Sequence, residues 1–283
     1  MTDEIASDRA DFYLCLARAF LTPREEAAWD AMRELLPADL EELDQVLGYG
    51  IIDQLAAYRT EVSRVGSAEV LLRTYSSLFL APPVPAHINT AVYLDGTIGG
   101  GSVAEMEQAY RACGVERAED FRDLSDHLGV QLEFVAYLYA REAAGKATGQ
   151  ETRLPLKGGH FLHGFVDRWL PGFISDLEQA AGERELQANP YLPLARILER
   201  AVARDAVPHP DAKPRSRAER AMDKARAKHA EKGVNEEDLR KIEAILKEKG
   251  LSTDHLSVPV GQRDATQGWQ AKVPPSPRRK MEG

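Results

Sequence analysis

FLHGFVDRWLPGFISDL, residues 161–177, places Phe161, Phe165, Trp169, Phe173 and Leu177 four residues apart. At about 3.6 residues per turn, that spacing lays five large apolar side chains along one side of a helix. A strand would send successive side chains to opposite faces instead. The stretch therefore predicts a long helix from about His160 to Ala181. The same period recurs on either side. Ile5, Phe12, Leu16 and Phe20 share a face of an N-terminal helix. Thr22-Pro23-Arg24-Glu25 reads as a capping box with Pro at the first helical position, opening a second helix. Pro37 separates that helix from a short one at about 38–47, which Gly48 and Gly50 end. A helix from Ile51 to about Val65 follows, and Ser67 caps the next, which carries Val70, Leu71, Tyr75, Leu78 and Phe79. Ser102-Val103-Ala104-Glu105 is a further capping box, for a helix to about Ala112. Another helix covers roughly Phe121 to Ala144, a polar linker spans 145–158, and Asn189-Pro190 starts a helix ending near Arg204. Alternating patterns are scarce. The expectation is an all-α protein, a single helical bundle domain of about nine helices over 1–207.

One stretch interrupts the pattern. Residues 81–101 read APPVPAHINTAVYLDGTIGGG. Pro82, Pro83 and Pro85 forbid a regular helix, and Gly99–Gly101 make the far end pliable. A loop of this length inside a compact helical body is often functional.

Charge divides the chain. Of 283 residues, 36 are Lys or Arg and 45 are Asp or Glu, a net of −9. From Pro208 to Gly283 there are 17 basic and 12 acidic residues, a net of +5, which leaves −14 on 1–207. An acidic body argues against a nucleic-acid binder. Residues 208–283 read as a charged C-terminal extension: a Pro-rich linker, one or two short helices and a disordered end. Its one narrow apolar stripe is Leu239, Ile242 and Leu246. Cys15 and Cys113 are too few for a disulfide framework or a thiolate metal cluster, and both fit apolar helical patterns as buried free thiols. MTDEIASDRADFY has no basic or apolar leader region, and no stretch is long enough to span a membrane, so a cytoplasmic protein is expected.

Catalytic motifs are weak. His160 and His163 sit one turn apart, but nothing in the sequence supplies further ligands beside them. Gly99-Gly100-Gly101-Ser102 enters a helix without the remaining residues of a phosphate loop. No nucleophile elbow occurs. No catalytic residue, cofactor or metal is expected. A metal-dependent helical hydrolase built on His127, His160 and His163 is one alternative function. An adaptor acting through the C-terminal stripe is another.

The remaining constellation is Asp126-His127-Leu128-Gly129-Val130-Gln131-Leu132-Glu133-Phe134. On a helix, Leu128, Leu132 and Val135 form an apolar face, while Asp126, Val130 and Glu133 follow at spacings of four and three. Asp126 could instead cap or flank a helix N-terminus.

DHLGVQLEF resembles the D-H-x-x-x-E-L-x-F segment of the TorD/DmsD/NarJ family, chaperones that mature molybdenum-containing oxidoreductases; Gln131 stands where that family usually has an acidic residue. Tyr75-Ser76-Ser77-Leu78-Phe79 followed by Pro82-Pro83-Val84-Pro85 resembles its Y-x-x-L-F and Gly/Pro-rich loop, with Tyr93 near its usual Tyr. Phe161–Phe173 with Trp169, then Pro190-Tyr191-Leu192-Pro193-Leu194-Ala195, is similar to its last two helices. The resemblance covers roughly 8–204. It implies a cytoplasmic chaperone, not an enzyme. Its implied partners are the unfinished catalytic subunit of a molybdopterin oxidoreductase, that subunit's twin-arginine leader, and cofactor-insertion proteins. The expected client surface is Asp126, His127 and Glu133 for the basic part of the leader. Tyr75, Phe79, Tyr93 and the prolines 82, 83 and 85 would form the apolar wall. An acidic body would attract such a peptide at long range.

Overall fold

The computed structural model describes residues 2–116, 124–147, 154–183 and 186–210. Among them the secondary structure is helical, in nine continuous runs. These are α1 (Thr2–Phe20), α2 (26–47), α3 (Ile52–Val65), α4 (Ala68–Phe79), α5 (Thr90–Asp95), α6 (Gly101–Ala112), α7 (Leu128–Ala147), α8 (158–183) and α9 (Tyr191–Asp205). The one extended contact is a single bridge between Asn89 and His127.

The four-residue periods bury their faces as expected. Phe12, Leu16 and Phe20 of α1 are buried, as are Phe161, Trp169, Phe173 and Leu177 of α8. The most extensive helix pairing is between α1 and α7. Gly129 permits that closeness. A β-carbon there would lie 2.8 Å from the Leu21 side chain and 3.2 Å from the Ala17 carbonyl. Burial of this contiguous apolar core is the main stabilising term, at roughly 25 cal/mol per Å².

Several local expectations change. The second helix starts at Glu26, and Glu25 makes no side-chain cap. Pro37 does not break it. A π-helical turn, Ala31–Leu35, precedes the proline, and the chain continues helical through Leu36–Leu47. Proline lacks the N–H that the carbonyl four residues back would accept, and its ring crowds that carbonyl. A widened turn absorbs both defects without ending the helix. A second π turn, Leu162–Val166, lies within α8, which also contains Pro171. The loop after α4 holds a short helix, α5, that its prolines and glycines hid. Residues 124–127 are not helical, so α7 begins at Leu128 and not near Phe121. Ser67 does cap α4, its Oγ accepting from the Val70 N–H at 3.3 Å. The stripe Leu239, Ile242 and Leu246 lies outside the described residues.

The end of α9 packs against the start of α8. A β-carbon at Gly159 would stand 2.6 Å from the Asp205 carbonyl. Backbone cannot yield as a side-chain tip can, so Gly159→Ala is expected to cost about 1–2 kcal/mol, roughly 4 °C in Tm by calorimetry. An unchanged Tm would show that this contact is slack.

Candidate functional site

Asp126 and His127 sit where the loop after α4 meets the start of α7. The Thr90 N–H donates to the Asp126 carbonyl (3.1 Å), and the Leu128 N–H donates to the Ile88 carbonyl (3.0 Å). This extended pairing keeps residues 126 and 127 out of the helix. The Asp126 side chain then acts as a cap for a distant helix. One carboxylate oxygen accepts from the Ala91 N–H at 2.9 Å and the other from Asn89 Nδ2 at 3.0 Å. A carboxylate at the N-terminal N–H groups of α5 is favoured by their partial positive charge. Asp126 is 1% exposed.

His127 is buried as well. Its Nδ1 accepts from the Gly129 N–H at 3.0 Å, which places the proton of the neutral ring on Nε2, 3.2 Å from the Tyr75 hydroxyl. Tyr75 in turn donates to the Phe20 carbonyl at 3.3 Å. Gln131 donates from Nε2 to Thr90 Oγ1 and to the Asp126 carbonyl, each at 2.7 Å. The motif thus ties α1, α4, α5 and α7 around the loop. In this conformation Asp126 and His127 present nothing to solvent.

The apolar wall is assembled behind the loop. Tyr75 and Phe79 meet edge to face at 4.9 Å, and Phe79 packs against Phe173 and Tyr191 at 5.9 and 5.2 Å. Tyr93 stacks on Trp169 at 5.3 Å. Its hydroxyl donates to Asp176 at 2.7 Å and accepts from the His87 N–H at 3.1 Å. Gly172 makes room, because a β-carbon there would come within 3.1 Å of the Tyr93 ring. Tyr75 and Phe79 are buried, Tyr93 and Pro85 are half-buried, and Pro82 and Pro83 are exposed. Four residues of this cluster were not expected at the site: Trp169, Phe173, Asp176 and Tyr191. A signal for three of them was available. Trp169, Phe173 and Asp176 fall at i, i+4 and i+7 on the α8 face that carries Gly172. Burial pushes the Asp176 carboxyl up to about 6, with the Tyr93 O–H favouring the ionised form.

Glu133 stands apart. It is half-buried on α7, with no ion-pair partner among the described residues. Burial pushes its carboxyl up to about 7, against the nearby Arg18 guanidinium. The folded state therefore holds this proton more tightly than the unfolded chain does. Its contribution to stability is favourable at low pH and is lost as pH rises from the ordinary 4.5 through about 7. Glu133→Gln is expected to flatten stability across that window and raise Tm at pH 8 by about 5 °C. Parallel melting curves of the two proteins from pH 4.5 to 8 would argue against it.

The other candidates fare as follows. The Asp95 carboxylate accepts from the N–H and the hydroxyl of Ser102, occupying the start of α6 where an anion was considered. His160 Nδ1 lies 3.0 Å from the Val207 carbonyl and its ring packs on His209. Among the described residues no three His, Cys, Asp or Glu side chains converge as metal ligands, so nothing assembles the hydrolase site on His127, His160 and His163. Burial pushes the Cys15 thiol up to about 11 and also raises that of Cys113, keeping both protonated. Among the described residues no helix is long and apolar enough to cross a membrane.

Comparison with known proteins places the chain in a family. Residues 30–175 match the family model described as the nitrate reductase delta subunit, just over half of the chain and including the loop, α5 and the Asp126-His127 junction. A solved structure from Archaeoglobus fulgidus, described as a redox enzyme maturation protein, is 18% identical with a TM-score of 0.40, covering 69% of this chain and 93% of that one. A likeness at that level adds no argument of its own. No curated relative matches the sequence. The chain belongs to the nitrate reductase delta subunit family of redox enzyme maturation chaperones, proteins that serve the assembly of an oxidoreductase and catalyse nothing themselves.

Proposed function

We propose that this chaperone recognises the N-terminal twin-arginine leader of the catalytic subunit of a molybdopterin oxidoreductase, in the cytoplasm, while the cofactor is being inserted. The observation that carries the reading is Glu133. A half-buried carboxylate without an ion pair weakens the fold above neutral pH, and such groups cluster where a ligand will compensate them. A client arginine would supply the missing cation through a charge-assisted fork. The net charge of −14 on 1–207 would draw a basic peptide in from a distance. In this reading Asp126 and His127 serve the client surface from beneath, by holding the loop and α5 in place, and the prolines 82, 83 and 85 with Tyr93 lie along its apolar side.

The test is calorimetry with a synthetic twin-arginine leader peptide. Wild type is expected to bind it and to lose affinity as salt rises from about 0.05 to 0.5 M. Replacing both arginines by glutamine is expected to abolish most of the binding, and Glu133→Gln to weaken it about tenfold. Affinity indifferent to salt and to Glu133 would sink the reading.

A further inference from the structure

A cleft of about 650 Å³ lies between α3, the end of α8 and the start of α9. Its floor is apolar, built from Ala57, Leu186, Leu192 and Pro193. Pro193 is buried, Leu186 and Leu192 are half-buried and Ala57 is exposed, so apolar surface stays uncovered inside a concavity. Such surface on a helical bundle marks a place where something docks. The lining includes no residue of the loop, of α5 or of the Asp126 junction.

The rim of the cleft is acidic. Arg64 is paired with Glu61 at 2.8 Å, and Arg196 with Glu178 and, at 2.9 Å, with Glu199. Asp53, in the first turn of α3, has no ion pair among the described residues. The arginines are thus neutralised within the wall, and a carboxylate is left to meet an incoming cation.

The course of the chain identifies the occupant. Asp205, the last residue of α9, accepts from the hydroxyl of Tyr49, four residues ahead of Asp53. The chain therefore leaves the body near the first turn of α3. Further on, in NEEDLRKIEAILKEK, residues 235–249, the positions of Leu239, Ile242 and Leu246 predict a helix with one narrow apolar stripe. Arg240, Lys247 and Lys249 flank that stripe. The 28 residues between Pro210 and Leu239 would span roughly 30 Å as a coil, against a radius of gyration of roughly 16 Å for a body of this size. The stripe can reach the cleft with length to spare.

We propose that residues 235–249 dock as a helix in this cleft of their own chain, with Leu239, Ile242 and Leu246 on the apolar floor and a basic flank toward Asp53. The mode is that of an amphipathic helix in a groove. Charge favours it, because 208–283 carries a net of +5 and 1–207 a net of −14. A tether of this kind sets an effective concentration on the order of 1 mM, so a groove with a Kd of about 100 µM would be filled about nine-tenths of the time. The proposal is independent of the leader reading, since the cleft shares no residue with the surface assigned to the client.

The test is hydrogen exchange by mass spectrometry on the full chain. A helix of about 15 residues is marginal in water by itself, so its amides gain protection only by docking. Amides 239–249 should exchange about tenfold more slowly in wild type than in Ala57→Arg, which leaves the segment's sequence intact and sets a long cation on the cleft floor. Ala57 is exposed on α3, so the variant should keep the Tm of wild type. Thr60→Arg, one turn along the same wall and also exposed, should act alike and serves if Ala57→Arg lowers Tm. The rates should be the same at about 1 and about 100 µM protein. Protection that both variants leave untouched would place the segment elsewhere and overturn the proposal. Protection seen only at the higher concentration would make the occupant a second copy and overturn it as well. Exchange of amides 239–249 in wild type at the rate of an unfolded chain would overturn it outright.

Discussion

Asp126→Ala should lower stability by about 3–5 kcal/mol, roughly 10 °C in Tm, by undoing the junction between the loop and α7. The substitution removes an acceptor and leaves a buried donor, the Ala91 N–H, and a half-buried one, Asn89 Nδ2, without that partner. It also takes the negative charge from the N-terminus of α5, whose first N–H groups have no intrahelical acceptors. Asp126→Asn keeps the volume and one acceptor oxygen, and should cost only about 1–2 kcal/mol. The damage should be local before it is global. Hydrogen exchange at the amides of Thr90, Ala91 and Leu128 should accelerate well below the melting temperature, because these are the bonds that Asp126 organises. Protection in α9 should change little at the same temperature. A loss under about 1 kcal/mol, or uniform acceleration along the chain, would refute the capping role. Leader affinity should also fall in Asp126→Ala, through loss of the loop's position and not of a contact. Raising the protein's stability elsewhere should therefore leave that affinity low.

This residue also shows what a sequence can and cannot disclose. Helical periodicity was readable because each apolar face is a local pattern, so α1, α3, α4, α6, α8 and α9 stand close to where the spacing of three and four placed them. The misreadings are non-local. Asp126 could be read on the acidic face of its own helix or as a cap at a helix N-terminus, but the helix it caps begins 35 positions upstream, reached only after the chain has folded back. For the same reason α5 was hidden, since its own Asn89 supplies no side-chain cap. Pro37 was taken as a break because the π turn that accommodates it has no marker in residue type. Asp176 was missed because its partner Tyr93 lies 83 positions away. The resemblance to the maturation chaperones singled out Asp126 and His127. The physical reason those residues belong there is that they organise the loop, with Glu133 left as the carboxylate that the fold does not compensate.

Asp205→Ala is the second large effect, again about 3–5 kcal/mol. Asp205 is the last residue of α9 and only 4% exposed. Its carboxylate accepts from the hydroxyls of Tyr13 and Tyr49 and lies 3.0 Å from Arg9 Nε. One side chain thus joins the end of the bundle to its first helix and to the turn between α2 and α3. Burial raises the carboxyl above its ordinary 3.8, while the two tyrosines and Arg9 favour the ionised form. The fold therefore tolerates the charge more than it gains from it, and what it needs is the acceptor. Asp205→Asn, which keeps an acceptor oxygen and gives up the charge, should cost only about 1 kcal/mol, whereas alanine strands both tyrosine hydroxyls in the core. The pH dependence should follow the same sign. Because the folded carboxyl holds its proton more tightly than the unfolded one, wild type should gain stability relative to Asp205→Asn as pH falls toward the ordinary carboxyl value of 3.8. Equal losses for alanine and asparagine, measured by urea unfolding at pH 7, would mean that the charge and not the acceptor holds the bundle closed.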